Sequence, residues 1–441
     1  MALSGIQIYK LLPQTNCKEC GFPTCLAFAM KLAAKQVELS ACPYVTEASK
    51  TQLAESSAPP IRLIAVRAGG REIKAGNETV MFRHEKTFFN MPGLFVRIKS
   101  SMNLDNIKEL VSKVEAFKAN YVGMDLVVDG FAIEADDAGA FSEAIKVVRS
   151  LSKRPLILIG NEEVLPSGLA NLAGENPLIY SANSSNWEQM TEIAKKYSAS
   201  LVVTADNLDQ LSELTEKIKS KGLEDLVLDG NSSKLGTHLE KSTQLRRLAV
   251  KKNVRTLGYP IISFATGDNG RDAIAAAQAI GKYSGFIVLD RFAPDLFYPL
   301  LVLRQNIYTD PQKPIQVQPG VYEINSPKAD SPVLVTTNFS ITYFSVANEV
   351  EGSGLPVWLL VTDAEGMSVL TAWAAGKFDS ERIAKSVKEF NIADKVSKKR
   401  IVLPGHVAVL SGEVEEELPG WEIRVGPREA VDIPAFLKQA L

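Results

Sequence analysis

Leu201-Val-Val-Thr204, Leu226-Val-Leu-Asp229, Ile261-Ile-Ser-Phe264 and Phe286-Ile-Val-Leu-Asp290 set the rhythm of this chain. Each is a short apolar, β-branched run, and longer helical patterns separate them. The same rhythm holds upstream in Leu94-Phe-Val-Arg-Ile98, Val122-Gly-Met-Asp-Leu-Val-Val128, Pro155-Leu-Ile-Leu-Ile159 and Pro177-Leu-Ile-Tyr180, with helices such as 106–117 and 186–197 between strands. About eight strand–helix units in roughly 220 residues is the size of a TIM (β/α)8 barrel. Chemistry in such barrels sits on the loops after the strands, which puts Asn183, Asp206, Asp229, Asn231 and Asp290 at the site end. They form no recognisable catalytic set. Asp229-Gly230-Asn231 has the look of a polar loop that could hold a pterin-like ring, although helix caps and turns are the commoner work of Asp and Asn after a strand.

A proline-rich joint from Asp310-Pro-Gln-Lys-Pro314 to Ser326-Pro327 ends the barrel. Beyond it, strands at Val333–Thr337, Val357–Asp363, Arg400–Pro404 and Trp421–Val425 alternate with helices, which predicts a small doubly wound domain of about four parallel strands. Ligands bind such sheets at the carboxyl ends of the strands. Those ends are small and polar here: Thr336-Thr-Asn-Phe-Ser340, Gly366-Met-Ser-Val-Leu-Thr371, Leu403-Pro-Gly-His406 and Gly426-Pro-Arg-Glu-Ala430. They favour close approach by a large ligand. No G-x-G-x-x-G follows the first tail strand, which speaks against a nicotinamide cofactor.

All four cysteines fall within the first 42 positions, as Cys17-Lys-Glu-Cys20-Gly-Phe-Pro-Thr-Cys25 and Cys42-Pro43. Three thiols in one tight loop and a fourth followed by proline suit a 4Fe-4S cluster. Zinc is the rival metal, though structural zinc sites usually draw on two short-spaced pairs and this chain has one. A disulfide framework fits least, because the start of the chain lacks the pattern of a secretory signal, and a reducing cytoplasm is the expected compartment. The helical stretch Leu26–Gln36 would cover the metal with apolar surface. The proline-rich stretch Gln52–Pro60 reads as a linker. The expected division is therefore a cluster domain over 1–58, a barrel with its leading linker over 59–315, and a doubly wound domain over 316–441.

Composition sets outer limits. Of 441 residues, 46% are hydrophobic and 23% charged, and 49 basic residues nearly balance 51 acidic ones. No basic field invites nucleic acid, and no apolar run has the length of a membrane span, so small molecules and proteins are the expected partners.

Taken together, the cysteine loop, the barrel and the tail resemble the large (gamma) subunits of corrinoid iron-sulfur proteins of the acetyl-CoA synthase/carbon monoxide dehydrogenase system. The most specific element is the Cys17, Cys20, Cys25, Cys42-Pro43 pattern, which is similar to the cluster-binding pattern of that family at every ligand position. The resemblance implies a cobamide held by the tail, where the chain forms a heterodimer with a small barrel-shaped subunit. It also implies a job in the reductive acetyl-CoA (Wood-Ljungdahl) pathway. The cobalt, as Co(I), takes a methyl group from methyltetrahydrofolate through a separate methyltransferase and delivers it to acetyl-CoA synthase, while the cluster reactivates Co(II). With the corrin located in the tail, the expected contacts lie among Thr336, Thr337, Asn338, Phe339, Ser340, Ser368, Val369, Leu370, Thr371, Gly405, Arg428, Glu429 and Ala430. Only three histidines occur, His84, His238 and His406, and none lies in the D-x-H-x-x-G loop that ligates cobalt from below in many cobamide modules, which suits base-off chemistry. His406 could approach the cofactor at most as a hydrogen-bond donor; a surface histidine at a helix start is its plainer role. Two other readings stay open: an iron-sulfur electron-transfer protein without corrinoid, and a pterin-binding barrel methyltransferase whose cysteines hold zinc.

Overall fold

The structure, a computed structural model, describes residues 5–33, 37, 39–46, 49, 50, 53, 59–122, 124–232, 234–267, 270–310 and 315–440. Helices α1 (Gly5–Leu11) and α2 (Cys25–Ala33) open the chain. Their apolar faces meet in a small core of Ile8, Leu12, Phe28, Ala29, Val45 and Leu53 that also takes in Cys25 and Cys42. The helix expected over Leu26–Gln36 is present to Ala33, and its last residues, like most of the linker Gln52–Pro60, lie outside the described residues.

A hairpin follows, β1 (Ile64–Ala68) paired antiparallel with β2 (Arg71–Ala75). Ile64, Val66 and Ala75 share one core with Phe95, Leu178, Val227 and Phe286, so the hairpin plugs the amino-terminal mouth of the barrel. The sequence reading passed over this hairpin. The barrel strands and their helices then run in order: β3 (Gly93–Lys99), α3 (Leu104–Ala116), a side hairpin of β4 (Ala119–Tyr121) and β5 (Met124–Leu126), β6 (Gly130–Glu134), α4 (Ala138–Leu151), β7 (Leu156–Ile159), α5 (Leu165–Leu169), β8 (Leu178–Ala182), α6 (Trp187–Lys196), β9 (Ser200–Thr204), α7 (Leu208–Ser220), β10 (Leu226–Asp229), α8 (Leu235–Lys252), β11 (Ile261–Ala265), α9 (Arg271–Gly281), β12 (Ser284–Leu289) and α10 (Pro294–Tyr308). Strands β3 and β6 to β12 pair in parallel and close a barrel. Asn103, Asp137 and Asn207 cap α3, α4 and α7 through their side chains, which satisfies amide groups that a helix start leaves open. One strand differs from expectation. The second barrel strand is Gly130–Glu134, not Val122–Val128, whose first residues form the β4–β5 hairpin.

That hairpin belongs elsewhere. By contacts the chain divides into one unit of Met1–Phe117 with Val127–Tyr308, and another of Lys118–Leu126 with Thr309–Leu441. In the second unit, β13 (Gly320–Ile324), β14 (Val333–Thr337), β15 (Val357–Thr362), β16 (Arg400–Leu403) and β17 (Glu422–Val425) form a sheet in the order β13-β15-β14-β16-β17. The last four strands are mutually parallel, as expected, and β13 adds an antiparallel edge inside the stretch read as a joint. Helices α11 (Ser340–Ser353) and α16 (Ile433–Ala440) contribute to the core on one face together with Val122; α12 (Val369–Ala374), α13 (Ser380–Glu389), α14 (Ile392–Lys395) and α15 (Ser411–Glu417) pack on the other. The sheet alternates accordingly: Leu334, Leu359 and Val361 face the first layer, Val333, Val335 and Leu360 the second. Among the described residues, no helix is long and apolar enough to cross a membrane.

Candidate functional site

Connections leave β14 and β16 toward opposite faces of the sheet, and in open α/β sheets the crevice at such a switch point is where ligands bind. A cleft of about 290 Å³ opens there. Its floor is apolar, built from Leu334, Val335, Val402 and Leu403 of the two strands and Ile433 of α16. One floor group is not apolar: Thr336 is 1% exposed, and its hydroxyl has no hydrogen-bond partner. A buried hydroxyl without a partner costs free energy, and a ligand with a polar edge would relieve it.

Of the residues expected at the strand ends, Thr336, Ser368, Val369, Leu370, Arg428, Glu429 and Ala430 line this cleft. Thr337 is fully buried at the end of β14, and its hydroxyl also lacks a partner. Asn338 accepts backbone hydrogen bonds from Ala364 (2.9 Å) and Gly366 (3.0 Å), so it ties two strand ends together. Phe339 and Ser340 begin α11. The Thr371 hydroxyl lies 3.0 Å from that of Ser368 and would orient it. Gly405 is buried where the loops after β16 and β17 meet: its amide donates to Pro427 (2.9 Å), and a Cβ there would stand 2.5 Å from the Gly426 carbonyl oxygen and 2.8 Å from the Arg428 nitrogen. That close approach brings His406 and Arg428 to one rim. His406 Nε2 lies 3.8 Å from Glu429 Oε1. The expectations passed over Ile341, Thr342, Ser345 and Val346, which form the α11 wall of the cleft. Their i, i+4 spacing directly after a strand was the available signal.

The cysteine loop is the second candidate. Cys25 and Cys42 are buried, Cys20 is half-buried against the same small core, and Cys17 is exposed. Asn16 accepts a hydrogen bond from the Cys25 amide (2.8 Å) and so fastens the loop to the start of α2. Left-handed backbone recurs at Gln14, Asn16, Lys18 and Gly21. Turns with such residues direct amide groups inward, as in the nests that hold iron-sulfur clusters. Among the described residues, no three His, Cys, Asp or Glu side chains are drawn together as a finished metal cage. The donor set itself, four thiols of which three lie in or against one apolar core, fits a 4Fe-4S cluster.

The carboxyl-terminal mouth of the barrel is polar and largely paired within itself, although Arg97 Nε, Glu134 Oε2 and Thr204 Oγ1 are buried without a hydrogen-bond partner. Asp229, 8% exposed, accepts from the Tyr180 hydroxyl (2.8 Å) and the Asn231 amide (2.8 Å). Burial pushes the Asp229 carboxyl up from its usual range, and burial followed by the Asp229 charge does the same for Tyr180. Arg97 pairs with Glu134 at 3.5 Å and with Asp290. Asp206 lies 3.4 Å from the Asn231 amide group, and Asn183 caps its own turn by accepting from Ser185. His238 bridges Ser263 and Gln278, and burial lowers its pKa; His84 stacks on Phe82.

Comparison with known proteins identifies the family of this chain. A family model described as CO dehydrogenase/acetyl-CoA synthase delta subunit matches residues 64–437, and one described as an Fe-S cluster matches residues 12–44. The chain is 42% identical to the corrinoid/iron-sulfur protein large subunit of Moorella thermoacetica, with 100% of both chains covered. It is 34% identical to the acetyl-CoA decarbonylase/synthase complex subunit gamma of Archaeoglobus fulgidus, over 99% of this chain and 98% of that one. A dihydropteroate synthase of Xanthomonas albilineans aligns with 56% of this chain and 100% of its own, at 11% identity and a TM-score of 0.39. With most of its length matched by one family model and all of it by relatives above 30% identity, the chain belongs to the CO dehydrogenase/acetyl-CoA synthase delta subunit family.

Proposed function

We propose that this chain is the large subunit of a corrinoid iron-sulfur protein, a methyl carrier of the acetyl-CoA synthase system that works in the cytoplasm. Its proposed partners are a small subunit completing the heterodimer, a separate methyltetrahydrofolate methyltransferase as methyl donor, and acetyl-CoA synthase/carbon monoxide dehydrogenase as acceptor. When bound, a cobamide supplies a cobalt that takes up and releases a methyl group, and a 4Fe-4S cluster supplies single electrons at low potential. The observation that carries the reading is the cleft at the switch point of the tail sheet, with the unpartnered Thr336 hydroxyl in an otherwise apolar floor.

The chain's own residues divide the work. Thr336, Ser368, Val369, Leu370, Arg428, Glu429 and Ala430 would touch the cobamide directly. Thr371 orients Ser368, Asn338 fixes the end of β14, and Gly405 holds the two rim loops in register. Phe339 and Ser340 set the start of the α11 wall, and Thr337 stiffens the strand end below it. Cys17, Cys20, Cys25 and Cys42 would hold the cluster, with the apolar core on one side excluding water. The barrel serves as scaffold in this reading. Asp229, the acidic group a pterin ring would need, is already engaged by Tyr180 and Asn231.

The test is the content of iron, cobalt and zinc per chain in protein purified without oxygen after co-production with its small subunit. The proposal expects about four irons and one cobalt. Iron without cobalt would leave an electron-transfer protein, and zinc alone would overturn the reading of the cysteines.

A further inference from the structure

The rim of the tail cleft carries a cation that no hydrogen bond or ion pair engages among the described residues. Arg428 lines the cleft, is exposed, and makes no hydrogen bond or ion pair among the described residues. Its neighbours do not compensate it: Glu429 faces His406 across the rim at 3.8 Å, and the floor beneath is made of Leu334, Val402 and Leu403. The Arg428 backbone runs beside Gly405, where the loops after β16 and β17 meet, so the side chain starts from the rim of the cleft. A guanidinium at the lip of an apolar cleft is suited to planar, two-point capture of an oxyanion.

Resting on the reading of the cleft as a cobamide site, we infer that Arg428 recognises the phosphodiester of the cobamide's nucleotide loop. The argument is one of charge. Apart from its cobalt, a corrin carries neutral carboxamide side chains, and the phosphodiester that joins corrin to lower base is the one peripheral anion of the complete cofactor. Within the bound cofactor, that phosphodiester is the charge-complementary target for a cation at the rim. Anchoring the anion at the rim would also suspend the detached lower base over the apolar floor, where a neutral aromatic ring gains by burial. Arg428 is thus a specificity determinant: it lets the chain distinguish a complete cobamide from a corrinoid that lacks the nucleotide loop.

The experiment uses the full chain with its small subunit, stripped of cobalt compound and titrated by absorption with a complete cobamide and with cobinamide, which has no phosphodiester. Wild type is expected to bind the complete cofactor about tenfold or more tightly than cobinamide, the scale of one charge-assisted hydrogen-bonded pair. Arg428→Gln should weaken binding of the complete cofactor about tenfold more than binding of cobinamide, because only the complete cofactor carries the phosphodiester. Arg428→Lys, which keeps the charge but not the fork, should retain part of the wild-type preference. Equal weakening of both ligands by Arg428→Gln, or no change in either, overturns the assignment while the cobamide site stands. Failure of wild type to bind either ligand overturns the proposed function itself.

Discussion

Asn338 shows how much one side chain can hold. It is 1% exposed, and its Oδ1 accepts from the amides of Ala364 and Gly366, while its Nδ2 donates to Asp363 (3.2 Å) and Gln316 (3.3 Å). Asn338→Ala would leave two buried amides without acceptors, at about 1–3 kcal/mol each. Denaturant unfolding of the variant should report a loss of about 2–6 kcal/mol, with cobalt content falling only as the fold does. A stable variant that has lost its cobalt would instead make Asn338 a direct cofactor contact. The sequence marked this position as important by its place after a strand, but not its task. An Asn there reads equally as ligand contact or loop tie, and the deciding neighbours stand 26 and 28 residues further on. Gly405 is the same case: turn, ligand approach and loop crossing all ask for glycine, and only the Gly426 carbonyl beside it decides. Arg428 differs, because its missing partner is a property of the assembled rim that no local pattern carries.

At the scale of elements, seven of the eight barrel strands stand where the apolar runs predict them. The eighth was misread for a physical reason. Val122–Val128 is the richer β-branched run, yet Val122 is buried in the core of the tail unit with Leu359 and Ile433, whereas the barrel is completed by the shorter Phe131-Ala-Ile that follows Gly130. A Cβ at Gly130 would fall 2.4 Å from the Phe95 ring, so a bulky neighbouring side chain fills the space the glycine leaves. Apolar runs announce that a segment will be buried, not in which unit. Strand β13 escaped notice likewise because prolines flank it, although an edge strand tolerates such neighbours. The borrowed hairpin leads to a prediction. Val122→Ala removes buried methyl surface from the tail core and should cost the tail unit about 1–2 kcal/mol, leaving the barrel untouched. Three of the four tryptophans, Trp358, Trp373 and Trp421, lie in the tail, so their fluorescence follows its unfolding. An unchanged tail transition with an earlier barrel transition would show that the hairpin serves the barrel instead.

At the scale of the molecule, cluster and cleft are built on separate cores. Among the described residues, the cysteine core draws only on residues between Ile8 and Leu53, and neither tail core includes any of them. Damage to one metal site should therefore spare the other. Cys20 is the informative position, because it is half-buried beside the core and contributes less to packing than Cys25 or Cys42. Cys20→Ala should lose most of its iron yet keep about one cobalt per chain, since a cluster with three thiolates left lacks its full ligand set. If the cluster's task is to return electrons to oxidised cobalt, this variant should fail reductive reactivation at every reductant potential that serves wild type. It should still transfer methyl groups at the wild-type rate once the cobalt has been reduced chemically beforehand. Both halves of the result are needed. Loss of methyl transfer from pre-reduced protein, with the tail's fluorescence and cobalt content intact, would mean that the cysteine module takes part in the transfer itself, through docking of a partner. Unimpaired reactivation without iron would mean that electrons reach the cobalt by a route that bypasses the thiols.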